Sequence, residues 1–445
     1  MRKLSFSFFL ASLMVVLALT RGSALDRQPG ADYHARREAL AKKAGGVVVL
    51  LAPLEPMDAV YAFRQEDNFY YLSGVTTPGA ALLVAPAVEA QGDTPARAYT
   101  EILFLPPHNL RLEKYTGPQL GADSPDATKV TGFDYVDEMS KLPEEVGKLL
   151  AGGRPVIYTD VSSQGESNGS TEALSLLKRT TTFVFLQDVK PMLSSLRTVK
   201  DAGEAALLRK AVDASVAAHF AAMKAVKPNV AEYEISALMQ YEWGRRGCER
   251  PSYAPIVGSG HNSTVLHYSE NTNAMKAGDV VVIDAAGEYS MYAADITRTL
   301  PVNGHYTARQ KEIYEIVLGA QEAAMAAFQS GKSMLFGDGD TSLNKVAKDY
   351  INSHGKDLHG QPLGQYFIHG LGHYLGLNVH DPGDYKIPLA PGMAFTIEPG
   401  IYIPEENIGV RIEDDYLVEQ DGKLIKLSAA LPSKVADVEK AMAGK

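Results

Sequence analysis

An α+β C-terminal half preceded by a smaller α/β domain with a mixed sheet is the fold class that this sequence predicts. Three observations predict it. At 445 residues the chain exceeds what one ordinary hydrophobic core holds, so two domains are expected. Its first half alternates short apolar runs with helical segments, the pattern of an α/β sandwich. Its second half groups long helices and then strands joined by tight turns, the α+β pattern.

In chain order, Arg2-Lys3, the apolar run Leu4–Leu19, and Gly22 and Ala24 at −3 and −1 of a cut before Leu25 have the layout of a signal peptide over residues 1–24. The run is shorter than the ~20 residues a membrane span needs. The mature protein is therefore expected to be secreted or periplasmic, with no membrane attachment after cleavage. Cys248 is the only cysteine, which excludes an intramolecular disulfide.

An α/β domain is expected over residues 25–195. Its strands are read at Gly45–Leu51, Ala80–Val84, Tyr99–Leu105, Pro155–Tyr158 and Thr182–Leu186, and its helices at Leu142–Leu150 and Thr171–Lys178. Around Asp188-Val-Lys-Pro191 and Arg197-Thr-Val-Lys200 the character changes, which places the boundary near 195, with the second domain over 196–445. Asp201 then reads as an N-cap, with Glu204 three residues on forming a capping box for an Ala-rich helix to about Val226. Further helices are expected at about 230–246, 307–329 and 341–354. Gly287-Glu-Tyr-Ser290 is expected to turn the strand ending in Asp284 into the strand carrying Asp295, bringing the two aspartates together across a hairpin.

The composition is that of a globular protein, with 45% hydrophobic and 22% charged residues. A formal net charge of −10 and scattered lysines and arginines argue against nucleic acid or an anionic membrane as partner. More informative are four carboxylates in stretches that otherwise read as buried strand. Asp284 closes Val280-Val-Val-Ile283, and Asp295 lies in Tyr292-Ala-Ala-Asp-Ile-Thr-Arg-Thr-Leu300. Glu398 follows Met393-Ala-Phe-Thr-Ile397, and Glu413 follows Val410-Arg-Ile412. A buried ionised carboxylate without a partner costs several kcal/mol or more. Taken singly, Asp295 could pair with Arg298 and Glu413 with Arg411, and His373 could be an ordinary core histidine. Together, with the run His369-Gly-Leu-Gly-His373-Tyr-Leu-Gly-Leu-Asn-Val-His380 between the two pairs, they point to metal. Four carboxylates with one or two imidazoles suit a hard divalent ion such as Mn2+. They exceed what one ion needs and suit a pair of ions.

Other patterns carry less. Gly165-Glu-Ser167-Asn-Gly169 has the letters of a nucleophile elbow but follows a polar loop rather than a strand. Val257-Gly-Ser-Gly260 lacks the lysine of a phosphate loop, and no His-Glu-x-x-His occurs.

The spaced motifs resemble a known family. Asp284-Ala-Ala-Gly-Glu-Tyr289, Asp295-Ile-Thr-Arg-Thr299, His369-Gly-Leu-Gly-His373, Val379-His380-Asp381, Thr396-Ile-Glu398-Pro-Gly400 and Arg411-Ile-Glu413-Asp-Asp415 look like the signature of the pita-bread metallopeptidases. The branch they resemble is Xaa-Pro aminopeptidase (aminopeptidase P), with prolidase as its sister. Val257-Gly-Ser-Gly260 with Leu266-His267-Tyr268 fits the same branch. Arg64-Gln65 with Asn68-Phe-Tyr-Tyr71-Leu-Ser-Gly74 resembles its N-terminal domain. One departure is Asp284-Ala-Ala-Gly287, where the family commonly has Asp-Ala-Gly-Ala or Asp-Xaa-Gly.

The resemblance implies a pita-bread catalytic domain and two divalent metal ions, Mn2+ first, with Zn2+ or Co2+ as alternatives. Asp284 and Asp295 would bind one ion, and Asp295, His373, Glu398 and Glu413 the other, with Asp295 and Glu413 bridging. It implies a metal-bridging hydroxide attacking the scissile carbonyl, with Glu398 as proton shuttle and His267 and His380 stabilising the tetrahedral intermediate. His369, Tyr253 and Arg411 would line the proline pocket. The implied substrates are peptides with N-terminal Xaa-Pro, and the implied assembly is a homo-oligomer, dimer or tetramer. The alternatives are an Xaa-Pro dipeptidase, a methionyl aminopeptidase, or a non-catalytic pita-bread binding protein.

Overall fold

The computed structural model describes residues 26–55, 61–92, 96–150, 156–161 and 185–444. The leader 1–24, the loop Gly165–Gly169, the expected helix Thr171–Lys178 and the start of the expected strand Thr182–Leu186 lie outside the described residues.

The N-terminal half is built on one six-stranded mixed sheet. Its strands are β1 (Val47–Leu51), β2 (Ala81–Ala85), β3 (Thr100–Leu105), β4 (Tyr135–Glu138), β5 (Val156–Thr159) and β6 (Phe185–Asp188), in the order β4-β3-β2-β1-β5-β6. β1 runs antiparallel to β2 and parallel to β5, which makes the sheet mixed. Strand geometry sends alternate side chains to opposite faces. Val47 and Val49 accordingly pack with Leu142 and Val146 of the helix Leu142–Leu150. Val48 and Leu50 face a larger core that continues through Leu207 and Leu208 into Val281 and Ile283 of the C-terminal half. The two halves thus share apolar packing as well as polar contacts.

Three helices absent from the expectation also shape this half: Gly30–Lys43, Asp67–Ser73 and Lys190–Arg197. Their inward faces carry polar residues that hide the helical period. Arg37 is fully buried, with a two-point contact to Glu101 at 2.6 and 2.9 Å and the ring of Phe133 3.7 Å from its Cζ.

In the C-terminal half the capping box forms as read. Asp201 accepts from the Glu204 amide and the Glu204 side chain accepts from the Asp201 amide, opening the helix Ala202–Ala225. The helices Glu232–Gly244, Ala308–Ala327 and Leu343–His354 follow. The strands are β7 (Arg250–Pro251), β8 (Ile256–Ser259), β9 (Val280–Asp284), β10 (Gly287–Tyr289), β11 (Tyr292–Ala293) and β12 (Thr297–Pro301). After the helices come β13 (Ala394–Ile397), β14 (Gly400–Ile403), β15 (Ile408–Arg411), β16 (Asp414–Val418) and β17 (Leu424–Lys426). They form antiparallel sheets β12-β9-β8, β11-β10-β7 and β13-β16-β17, with the pair β14-β15. A bridge between Thr297 and Glu413 joins the first of these to the segment between β15 and β16.

The expected hairpin differs in detail. Gly287 does not turn the chain. It opens β10, where a Cβ would lie 2.8 Å from Trp243 and from Cys248 Sγ, so packing requires glycine after Asp284-Ala-Ala. The turn falls on Ser290 and Met291, at φ 52° and 73°, the left-handed pair that a two-residue hairpin needs. β10 and β11 are therefore a separate ribbon. Asp284 faces Thr297 on β12, and Asp295 occupies the loop before β12, so the aspartates are not cross-strand partners.

Candidate active site

All ten residues singled out from the sequence line one cavity of about 570 Å³: Tyr253, His267, Asp284, Asp295, His369, His373, His380, Glu398, Arg411 and Glu413. Its walls are built by strand ends. Asp284 closes β9, Glu398 follows β13, and Glu413 falls between β15 and β16. The segment Leu371–Tyr374 is held against β13: the Thr396 amide donates to the His373 carbonyl and the Glu398 amide to the Leu371 carbonyl. Gly372 permits that approach, because a Cβ there would stand 2.0 Å from the Thr396 carbonyl oxygen.

The cations expected as ordinary partners are engaged elsewhere. Arg298 pairs with Asp414 at 2.7 Å, not with Asp295. Arg411 pairs with Asp284 at 2.5 Å, not with Glu413, and the Tyr253 hydroxyl donates to the other Asp284 oxygen at 2.5 Å. Asp295, Glu398 and Glu413 are left with little positive charge. His373 Nε2 lies 3.3 Å from both Asp295 and Glu398, while the Thr297 hydroxyl donates to Glu413 at 2.5 Å. One Asp295 oxygen is buried with no hydrogen-bond partner among the described residues.

The electrostatics register this crowding. Burial pushes the Glu398 carboxyl up to about 7, and the neighbouring Asp295 adds to the shift. Burial and the surrounding carboxylates Asp295, Glu398 and Asp284 push Glu413 well above the ordinary value. Asp295 is raised by burial and by Asp284. Burial alone would lower His373, but Asp295 and Glu398 outweigh it and bring the imidazole up to about 9.

The donor set fits a divalent cation. Ligand atoms of Asp295, His373 and Glu413 lie within 4.8 Å of one another. His373 Nδ1 sits 3.1 Å from the Tyr374 carbonyl, which can only accept, so the ring's proton belongs on Nδ1. Nε2 faces both carboxylates, held there as the imidazolium that its raised value describes or, once that proton is given up, by a metal cation in the proton's place. A backbone carbonyl on the far nitrogen is also the usual support of a metal-ligating histidine. Asp284 and Glu398 stand on the same cavity just outside this tight group.

Several residues missed in the sequence complete the site. The Tyr402 hydroxyl accepts from Arg411 at 2.8 Å and meets His369 Nε2 at 2.9 Å; because His369 Nδ1 faces the Gly370 carbonyl, Tyr402 donates to Nε2. Burial and Arg411 lower His369 to about 4. Asp415 accepts from the Asp295 amide at 3.0 Å, and the Thr396 hydroxyl donates to Glu398 at 3.2 Å. Thr297, two residues past Asp295, was open to discovery by strand alternation. Tyr402 had no local signal, because only the β14-β15 register sets it beside Arg411.

Comparison with known proteins agrees with this arrangement. The sequence model of metallopeptidase family M24 matches residues 206–420, and that of the aminopeptidase P N-terminal domain matches residues 33–158. The chain is 35% identical to the Xaa-Pro aminopeptidase of Haemophilus influenzae, covering 86% of this chain and 90% of the relative. It is 34% identical to the Xaa-Pro aminopeptidase of Escherichia coli, covering 92% and 97%. The chain belongs to metallopeptidase family M24, a membership that implies a metal-dependent exopeptidase using divalent metal ions. Its fold is that of aminopeptidase P: the Escherichia coli enzyme solved with the inhibitor Pro-Leu superposes with a TM-score of 0.80 at 32% identity, over 94% of this chain and 99% of that one.

Proposed function

We propose that this metal-dependent exopeptidase releases the N-terminal residue of peptides that carry proline in second position. One observation carries the reading. The full set of ten site residues converges on a single cavity in a chain similar to Xaa-Pro aminopeptidases along both halves.

Asp284, Asp295, His373, Glu398 and Glu413 would hold two divalent ions, Asp295 and Glu413 being shared, and the oxygen-rich donor set favours Mn2+. The chemistry such a pair supplies when bound is a water ionised near neutral pH and a polarised carbonyl. The protein's own groups do the rest. Glu398 can carry a proton at its carboxylate and deliver it to the departing prolyl nitrogen, which has no N–H of its own. His267 and His380 stand on the cavity wall, placed to donate to the carbonyl oxygen as negative charge grows on it. Tyr253, His369 and Arg411 would form the wall against the proline ring, whose shape must serve for selection because its nitrogen offers no donor.

An Xaa-Pro dipeptidase is not favoured, since relatives matching 86% and 92% of the chain are named Xaa-Pro aminopeptidases. A methionyl aminopeptidase leaves the N-terminal domain unexplained, and a binding protein leaves the complete donor set unexplained. The test is hydrolysis of an Xaa-Pro-Xaa tripeptide, an Xaa-Pro dipeptide and a proline-free tripeptide by protein loaded with Mn2+. Release of the first residue from the Xaa-Pro-Xaa tripeptide is expected, and cleavage of the dipeptide alone would refute the reading.

The leader-like residues 1–24 support export to the periplasm or medium, to be checked by N-terminal sequencing of the mature protein. Exposed Leu110, Leu112 and Tyr115 support a homo-oligomer, dimer or tetramer, to be checked by light scattering. The change of character near 195 supports the division into 25–195 and 196–445, to be checked by limited proteolysis. No helix among the described residues is long and apolar enough to cross a membrane.

A further inference from the structure

The segment Leu377–Asp381 brings Val379 and His380 to the cavity, and much of what holds it lies outside the catalytic half. Arg64, from the N-terminal half, donates through Nη2 to the Leu377 carbonyl at 2.7 Å. The same guanidinium is anchored by Glu288 of β10 through Nε at 2.8 Å and by Asp67 through Nη1 at 2.7 Å. Asp67 in turn accepts from the Asn378 side-chain amide at 3.3 Å.

The segment is closed on itself in a way that passes this anchoring on to the histidine. Asn378 Oδ1 accepts from the His380 amide at 3.1 Å, and Asp381 Oδ1 accepts from the Asn378 amide at 3.1 Å. Asp381 is buried and pinned by Arg197 at 2.6 Å and Lys200 at 2.9 Å. His380 itself makes no side-chain hydrogen bond among those of the described residues, so the placement of its ring follows its backbone and its edge-on contact with the His373 ring, with centroids 4.2 Å apart. That backbone is tied at both ends, and at the Leu377 end Arg64 is the side-chain tie, beside the Gly376 amide that donates to the Asn378 carbonyl at 3.1 Å.

We propose that Arg64 is a positioning residue for His380, so that the N-terminal domain acts on the reaction through the Leu377–Asp381 segment. The inference rests on the peptidase reading above for its kinetic test alone. A fork is needed, because one side chain must hold two carboxylates and a carbonyl at once. Glutamine at position 64 cannot do so, and it would leave Asp67 and Glu288 without their shared cation.

The test measures kcat and KM on an Xaa-Pro-Xaa tripeptide for Arg64→Gln and Asn378→Ala, each alone and combined with His380→Ala, with metal content determined in parallel. Displacements of about 1 Å at a reacting centre can cost about 100-fold, so a fall in kcat of about 10- to 100-fold is expected, with KM within about threefold and metal content unchanged. In the His380→Ala background the same substitutions should change kcat less than about twofold. An equal fold-loss in both backgrounds, or no loss in either, overturns the proposal. Asn378→Ala keeps the test decisive should Arg64→Gln fail to fold. A crystal structure of either variant reads the same point without activity. The His380 ring should be displaced, and an unmoved ring overturns the proposal even if the wild type hydrolyses nothing, an outcome that would fall on the function reading instead.

Discussion

Arg298→Met removes the cation that lies under the strands carrying the candidate ligands and leaves every one of those ligands in place. Arg298 is wholly buried and donates to Asp414 at 2.7 Å, to the carbonyls of Glu413 at 2.8 Å and Thr297 at 2.9 Å, and to the Pro432 carbonyl at 2.9 Å. Removing one partner of a buried ion pair costs about 3–5 kcal/mol, because the other charge stays behind uncompensated. Asp414 would keep Lys426 at 2.6 Å, Ser428 at 2.5 Å and Gln321 at 3.0 Å, which places the ionic loss at the lower end. The Thr297 and Glu413 carbonyls keep each other's amides across their bridge, so the Pro432 carbonyl, which loses its Arg298 donor, adds the remaining cost. At about 2–4 °C per kcal/mol for a unit of this size, the thermal midpoint should fall by roughly 10 °C. Metal affinity should also fall, by about 10- to 100-fold, because Arg298 fixes the backbone of Thr297 and Glu413 on either side of the site. Differential scanning calorimetry and metal titration read the two effects. Arg298→Met combined with Asp414→Asn should cost less than the sum of the single losses. A midpoint within about 2 °C of wild type, with unchanged metal affinity, would refute the reasoning.

Three other outcomes follow from the same geometry. Tyr402→Phe removes the hydroxyl between Arg411 and His369 and should cost about 1–2 kcal/mol in kcat/KM on an Xaa-Pro-Xaa tripeptide, with the fold retained by circular dichroism. Chelation followed by dialysis should abolish hydrolysis, and Mn2+ should restore it; full activity in metal-free protein, verified by elemental analysis, would count against the site. Burial alone would raise the Asp381 carboxyl, but Arg197 and Lys200 hold it below the ordinary carboxylate value. A depressed folded-state value stabilises above the unfolded value near pH 4 and loses that stabilisation as pH falls through the folded value. The midpoint difference between wild type and Asp381→Asn should therefore be constant from pH 5 to 8 and shrink in stronger acid, as thermal melts across pH will show.

Much of the architecture was legible because it rests on local signals. The apolar runs of β1, β2, β3 and β5 and the Asp201 and Glu204 capping box are decided within a few residues of chain. The helices Gly30–Lys43 and Asp67–Ser73 were not legible, because Arg36, Arg37 and Asn68 are buried only through partners distant in sequence. β4 escaped for the opposite reason: its residues Tyr135–Glu138 are exposed or half-buried at the sheet edge, so no apolar alternation marks them. The turn at Ser290 and Met291 carries neither glycine nor asparagine, so nothing local announces its left-handed backbone.

By itself the sequence determined the inventory of the site. Four carboxylates in apolar strands with too few cations nearby, and histidines on a glycine-spaced run, are a conflict between burial and charge that is visible without coordinates and resolved by metal. Only the tertiary structure decided how charge is allotted among them. It gave Arg411 to Asp284 and Arg298 to Asp414, aimed His373 Nε2 at Asp295 and Glu398, and set Tyr402 between Arg411 and His369. It also tied the His380 segment to Arg64 of the other half. Apart from Tyr402 and Arg411 across one hairpin, those pairings connect residues 25 or more positions apart. Coulombic and hydrogen-bond energies depend on distance in space, which strand register and interdomain packing set and local composition does not.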